Sequence, residues 1–260
     1  MKKFFFTAAC IICLHTVHAQ ITDSTSTTTL TTDTTAVLPA AIKKERKKID
    51  LSNRSGDHLM VQYGFDNWSG AAGNFTPDGF SRFFNAYAMI DKPFKTSPKM
   101  SVGLGVGVGS SNIFFKETNI DIKSLSSTLT ASDVSDADHF KKFKLTTVFL
   151  EAPIELRYSS NPLNSNSSFK VALGVKVGYL VNAHTKGKTL LNSSGSTLNS
   201  YIEKVSSKSF FNTTRLAPTI RIGYGILGLY GAYQITSTFK EGTVPTTIRP
   251  YSIGIYVSGL

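Results

Sequence analysis

The chain has 260 residues and a formal net charge of +11, with 41% hydrophobic and only 17% charged residues. This length allows one or two domains, and a strongly basic balance would suit a nucleic-acid partner. The first residues argue against that partner: Met1-Lys2-Lys3 precedes an apolar run from Phe4 to Leu14, and Val17-His18-Ala19 follows. Such an order is typical of a secretory signal peptide, so we expect export and no nucleic-acid partner.

We assign residues 1–19 to the signal peptide, with cleavage after Ala19. The alternative is a signal anchor, but its apolar run is too short to span a bilayer. Cys10 and Cys13 form a C-x-x-C pair inside this segment and would leave with it. The mature chain would then have no disulfide and no thiolate metal site.

Residues 20–55 are assigned to a disordered periplasmic linker. Residues 21–41 are dominated by Thr with few apolar side chains, which cannot offset the entropy of ordering. The basic run Lys43–Lys48 follows, and we interpret it as a solvated flank. Folded structure is expected from Gly56, so residues 56–260 form the predicted barrel domain.

Beyond the linker, apolar residues recur at every second position, which is typical of strands and not of helices. The phase is ambiguous in residues 83–92, where we assign Phe84, Ala86, Ala88 and Ile90 to the outer face. The segments with this period are 59–65, 83–92, 100–108, 148–158, 169–179, 215–222, 227–235 and 251–257.

The connections between these segments alternate in length. The short ones are 92–99, 159–167 and 224–225, and the long ones are 66–82, 116–142, 184–209 and 239–249. Outer-membrane barrels have short periplasmic turns, longer external loops and an even number of strands. The pattern therefore predicts an all-β fold, an eight-stranded antiparallel up-and-down transmembrane β-barrel in the outer membrane, with its N-terminus in the periplasm.

Aromatic residues cluster near the ends of the predicted strands, where the membrane interfaces would lie. We expect two aromatic girdles, one at each interface. On the long-loop side they are Phe65, Phe83, Phe115, Phe143, Phe211, Phe239 and Tyr251, and on the short-turn side Phe94, Tyr158, Phe169 and Tyr224.

If the aliphatic face meets lipid, the charged residues of the strands must point into the lumen, because Arg or Lys facing lipid costs about 2–4 kcal/mol at the midplane. The predicted register places Glu155 opposite Lys170 and brings Arg221 near Tyr230. Glycines at 103, 105, 107 and 109 would make room for long side chains from opposite strands. The predicted lumen charge network comprises Glu151, Glu155, Arg157, Lys170, Lys176, Arg215 and Arg221.

Two interpretations of this network are open: a polar conduit or ligand pocket, and a salt-bridged plug. We favour the plug, because an eight-stranded barrel is just wide enough to be filled by its own side chains. No spacing ties a nucleophile to His184, or to Asp57 and His58, so no catalytic residue is predicted. No metal-ligand cluster, phosphate loop or nucleotide motif is visible, so no metal or cofactor is predicted.

Two stretches resemble the PorT-like outer-membrane β-barrel proteins. They are Gly56-Asp57-His58-Leu59-Met60 and the strand Leu150-Glu151-Ala152-Pro153-Ile154-Glu155-Leu156-Arg157-Tyr158. The resemblance covers roughly residues 50–260 and implies an eight-stranded barrel. It implies no single activity, although one type of member assists a dedicated protein-secretion system.

These observations favour a non-enzymatic integral barrel that acts in envelope structure or recognition through its long external loops, 116–142 and 184–209 above all. The expected partners are outer-membrane lipid, the barrel assembly machinery and a protein partner at the external loops. Two alternatives stay open: a soluble periplasmic barrel that binds a small apolar ligand, and an accessory barrel of a secretion system.

Overall fold

The computed structural model describes residues 58–259. The predicted signal peptide, the linker, Gly56 and Asp57 lie outside these residues. Two short 3-10 helices, Gly73–Phe75 and Ser165–Ser167, lie in connections. The strands are β1 (Leu59–Ser69), β2 (Arg82–Pro93), β3 (Met100–Phe115), β4 (Thr118–Ile120), β5 (Ala131–Asp133), β6 (His139–Ser159), β7 (Phe169–Leu191), β8 (Thr197–Ser206), β9 (Thr214–Tyr224), β10 (Leu227–Tyr233) and β11 (Arg249–Ser258).

Eight of these strands close into an antiparallel ring. The order is β1, β2, β3, β6, β7, β9, β10 and β11, and β11 pairs with β1 to complete the barrel. This arrangement confirms the predicted all-β, eight-stranded barrel. Within residues 58–259, no helix is long and apolar enough to cross a membrane.

The period of two separates two faces on every strand of the ring. Val175 is 41% exposed on the outside, whereas its neighbour Lys176 is 2% exposed and points into the lumen. In β2, Phe84 and Ile90 face outwards, as predicted, and Phe83 faces inwards. The apolar face is therefore on the outside of the barrel, and the charged face is inside.

The short turns close one end of the barrel. Gly225 has φ of 62° in the turn between β9 and β10, a conformation that L side chains rarely adopt. Between β6 and β7, the Ser168 hydroxyl accepts a hydrogen bond from the backbone N–H of Asn161 at 3.0 Å and lies 2.7 Å from the Ser159 hydroxyl. These contacts hold the β6–β7 connection in one compact turn, away from the long loops.

Two of the predicted long loops contain strands. β6 starts at His139, inside the expected loop 116–142, and β7 runs to Leu191, inside the expected loop 184–209. A membrane crossing needs only about 9–11 residues, so both strands extend well beyond the membrane-spanning part of the barrel. There β7 pairs with β6 on one side and with β8 on the other, forming a three-stranded arm, while β4 and β5 form a small separate sheet.

The polarity of the two faces inverts along these long strands. In the barrel, β6 turns Glu151 inwards and Leu150 outwards, but towards the arm it turns Leu145 inwards and Lys144 outwards. Water surrounds the arm instead of lipid, so the apolar side chains move to the inside. In β6 the phase stays constant through this change, whereas in β7 a bulge opposite Val148 and Phe149 shifts the inward positions from even numbers, such as Leu180, to odd numbers, such as Ala183. The prediction from periodicity included neither the change of polarity nor the bulge.

The aromatic girdle predicted on the long-loop side is wrong for five of its seven residues. Phe83, Phe115, Phe143, Phe211 and Phe239 are all buried. Apart from Phe83, they belong to an apolar core that closes the long-loop end and includes Trp68, Phe75, Ile113, Leu145, Phe149, Phe210 and Ile248. The aromatic residues that face outwards there are Phe65, Phe80, Phe84, Tyr179, Tyr233 and Tyr251, whereas the four predicted on the short-turn side are exposed as expected.

We expect neighbouring positions of β7 to react differently with thiol reagents. Leu173→Cys lies on the lipid-facing side, and Ala172→Cys points into the closed lumen at the same depth. In reconstituted barrels, a lipid-phase maleimide should label Leu173→Cys and leave Ala172→Cys unlabelled until the protein is unfolded. Preferential labelling of Ala172→Cys would contradict the assigned faces.

Candidate functional site

The lumen contains a cluster of charges near the short-turn end. Arg221 binds Glu155 with two hydrogen bonds, from Nε at 3.0 Å and from a terminal nitrogen at 2.6 Å. Arg157 donates to the same carboxylate from Nε at 2.9 Å and approaches Asp91 at 3.6 Å. The Arg221 guanidinium also lies over the Tyr256 ring, 4.5 Å from its centre. One carboxylate thus joins two arginines from different strands.

A second cluster lies further along the lumen around Glu151. Arg215 pairs with this carboxylate at 3.0 Å and Lys176 at 3.5 Å, while the Tyr87 hydroxyl donates a short hydrogen bond to it. The Lys176 ammonium also lies 5.7 Å from the ring centre of Tyr230. The carboxylate is therefore bound by groups from three other strands, which fixes its position.

A third polar group lies towards the long-loop end. Asp66 accepts a hydrogen bond from the Ser252 hydroxyl at 2.5 Å and another from Ser111. The side-chain amide of Asn85 donates to Gln62 at 3.0 Å in the same part of the barrel. All five side chains are buried, so each hydrogen bond offsets the cost of removing a polar group from water.

The glycines of β3 give these side chains the space they need. A Cβ at Gly103 would lie 2.4 Å from Arg157 Nε, and one at Gly109 would lie 2.6 Å from the Glu151 carboxylate. The sequence had suggested that these side chains come from strands on the opposite side of the barrel. They come instead from the strands beside β3. Because β3 has no side chains there, Asp91 on β2 can reach across it to β6.

The lumen carries no net formal charge and almost no free volume. Four acidic side chains, Asp66, Asp91, Glu151 and Glu155, are buried with four basic ones, Arg157, Lys176, Arg215 and Arg221. The cavity beside Arg157 measures about 30 Å³, and the one beside Arg215 about 10 Å³. These spaces suit water and exclude a substrate or lipid.

One predicted pair does not form across the strands as expected. Lys170 is only half-buried at the short-turn end, opposite Ser159, and Glu155 lies opposite Gly174, so the predicted Glu155–Lys170 pair is wrong. The compact turn held by Ser168 is centred beyond Pro162, which shifts the pairing of the two strands. The register does set Arg221 opposite Tyr230.

The sequence analysis missed several members of the clusters. Asp66, Asp91, Tyr87 and Tyr256 belong to or contact these groups. Asp66 and Tyr87 lie on the inward phase of β1 and β2, so a full assignment of faces would have included them. Asp91 follows the outward residue Ile90 within the predicted segment 83–92, so the same assignment would have placed it inside.

The candidate catalytic residues lie away from these clusters. His184 is on the arm, with Nδ1 2.7 Å from the Asn182 amide oxygen, and His58 is exposed at the start of β1. Burial, followed by the charges of Lys204, Lys144 and Lys186, lowers the pKa of His184. Within residues 58–259, no group of three or more His, Cys, Asp or Glu residues is arranged to hold a metal ion.

Comparison with known proteins identifies the domain and not a specific relative. The family model described as outer membrane protein beta-barrel domain matches residues 54–240. This range contains the charge clusters, the arm and nearly all the strands of the ring. No curated protein matches the chain.

Removing one shared carboxylate should destabilise the barrel strongly. Glu155→Gln would remove the buried charge that Arg157 and Arg221 share, and a loss of about 3–5 kcal/mol is expected. Glu117→Gln is the matched control: its side chain is exposed and pairs with Lys116 at 3.4 Å, so a change within about 1 kcal/mol is expected. Denaturant unfolding in lipid vesicles measures both, and equal losses would contradict the buried network.

Proposed function

The chain belongs to the outer membrane protein β-barrel domain family, and from that premise we propose a closed, non-conducting and non-enzymatic barrel. Its role is structural or in recognition, and it acts through the long-loop end, which faces the cell exterior. Its partners in this proposal are outer-membrane lipid, the barrel assembly machinery and a protein that contacts the external surface. The filled lumen is the observation that carries the proposal.

Charge pairing and apolar packing support a lumen closed to solutes. Glu151 and Glu155 each hold two basic side chains across the lumen, and the apolar core around Phe239 closes the long-loop end above them. Opening a path would break buried ion pairs and expose packed aromatic rings. No substrate could reach the buried charges, so they serve stability and not catalysis.

The arm supports recognition at the long-loop end. β8 pairs with β7 along one edge, and nearly all of its residues are exposed. The arm is a continuation of barrel strands, so a partner would meet an ordered surface and lose little entropy on binding. An exposed edge strand also offers backbone groups for pairing with another chain.

The two alternatives find less support. A soluble barrel with an apolar ligand would need Val175 inside and Lys176 outside, and the observed faces are the reverse.

Membership of the PorT-like group is part of our proposal, supported by the strand Leu150–Tyr158, whose Glu151, Glu155 and Arg157 build both ion-pair clusters. No feature of residues 58–259 favours a role in secretion over recognition.

A closed lumen predicts the absence of conductance. Purified barrel in a planar bilayer should give no single-channel steps, because buried ion pairs occupy the lumen and the apolar core around Phe239 closes the long-loop end. A porin inserted under the same conditions is the positive control. Reproducible steps from the folded barrel would overturn the plug and restore the conduit interpretation.

The proposed orientation predicts which turns are exposed on intact cells. An epitope tag inserted at Ser194, between β7 and β8, should be stained by antibody on unpermeabilised cells. The same tag at Asn164, between β6 and β7, should be stained only after permeabilisation. The reverse pattern would place the arm in the periplasm.

A further inference from the structure

A group of lysines on the outer face of the arm has no role in the closed barrel. We call Lys142, Lys144, Lys186, Lys188 and Lys204 the basic ladder. Lys144 lies directly opposite Lys186, Lys142 opposite Lys188, and Lys186 opposite Lys204. Like charges in directly opposite positions of a sheet are destabilising, so this face costs the isolated protein stability.

Neighbouring side chains do not neutralise the basic ladder. Within residues 58–259, none of its five lysines forms an ion pair with a carboxylate. Lys144 donates a hydrogen bond to the Asn112 amide oxygen at 2.6 Å, which leaves its charge uncompensated. Burial, and then the charge of Lys186, lowers the pKa of Lys144.

The basic ladder lines a groove that also has aromatic walls. The groove has a volume of about 480 Å³, and Phe80, Arg82 and Phe114 line it together with four of the lysines. Phe80 is 74% exposed, and its ring centre lies 5.8 Å from that of Phe65 on the outer face of the barrel. Positive charge and apolar rings thus meet in one concave surface.

The position of the groove relative to the membrane indicates its ligand. Lys144 is four positions beyond Val148, the last apolar outward residue of β6 below the basic ladder. Four residues span about 13 Å along a strand, and with a tilt of about 45° the lysine lies about 9 Å above the apolar band. This is the depth of lipid headgroups, and the outward face below continues with Leu150 and Val177.

We propose that the basic ladder and its groove bind the phosphate-bearing headgroup of an outer-leaflet glycolipid, whose acyl chains lie on the apolar face below. Lysines bind phosphate as point charges, and each basic residue near an anionic membrane surface strengthens binding. The bound phosphate would also remove the repulsion between opposite lysines. This proposal rests on the proposed orientation, in which the arm is outside the cell.

Binding to the folded barrel in detergent tests this proposal. The ladder variant, Lys144→Gln with Lys186→Gln, should bind bisphosphorylated lipid A roughly 30-fold more weakly than the wild type, as measured by native mass spectrometry. Lys208→Gln with Lys240→Gln is the control, because both lysines are exposed at the long-loop end outside the basic ladder, and binding should be unchanged. Equal affinity of wild type and the ladder variant would overturn the proposal.

Three further measurements identify the ligand and separate loss of binding from loss of folding. Dephosphorylated lipid A should bind weakly, and inorganic phosphate should not compete, whereas strong competition would indicate a free-anion site and overturn the lipid assignment. The ladder variant should still change its electrophoretic mobility on boiling, which is the behaviour of a folded barrel, because the substitutions remove only like-charge repulsion. If it does not fold, Lys188→Gln with Lys204→Gln replaces it.

The epitope tags at Ser194 and Asn164 test the orientation separately. Failure of the proposed orientation and failure of glycolipid binding are therefore distinguished.

Discussion

Lipid around the barrel and a lumen too narrow for bulk water together constrain every charged residue of the strands. A charged side chain cannot face the acyl chains, so the period of two directs it inwards. Inside, an isolated charge would be equally unfavourable, and the lumen must therefore neutralise itself. Glu155 meets this requirement by holding Arg157 and Arg221, and Glu151 by holding Lys176 and Arg215. The glycine-rich β3 is a consequence, since the side chains that meet across it need its empty face.

Two kinds of interior share the same strands. In the membrane, the outside is apolar and the inside is polar, whereas beyond the membrane the inside is the apolar core around Phe239 and the outside is basic. The change of surrounding solvent explains the inversion in β6, whose phase continues through it, whereas β7 also shifts its phase at a bulge. The long-loop end is therefore built like a soluble protein, and it closes the barrel at the end opposite the short turns.

In the proposed function, this arrangement separates stability from recognition. The paired charges of the lumen are buried, and they join side chains of β2, β6, β7 and β9. The arm and the basic ladder are accessible, ordered and imperfectly neutralised, which are the properties of a surface that contacts other molecules. A barrel of this kind can vary its external surface without altering the charge clusters that stabilise it.

The sequence by itself determined the number of strands in the ring, their alternation, the faces of β2 and β7, and the inward position of residues such as Glu151 and Lys176. These follow from a local period and from the cost of charge in lipid. Only the tertiary structure decided that Glu155 binds Arg221 and not Lys170, because the compact turn around Ser168 sets the register of β6 and β7. It also decided that Phe115 and Phe239 pack inside, and that Lys144 and Lys186 lie side by side. Those contacts join residues far apart in the chain. The period of two also continues past the membrane boundary in β6, and in β7 a bulge shifts its phase there, so the pattern alone does not reveal where lipid gives way to water.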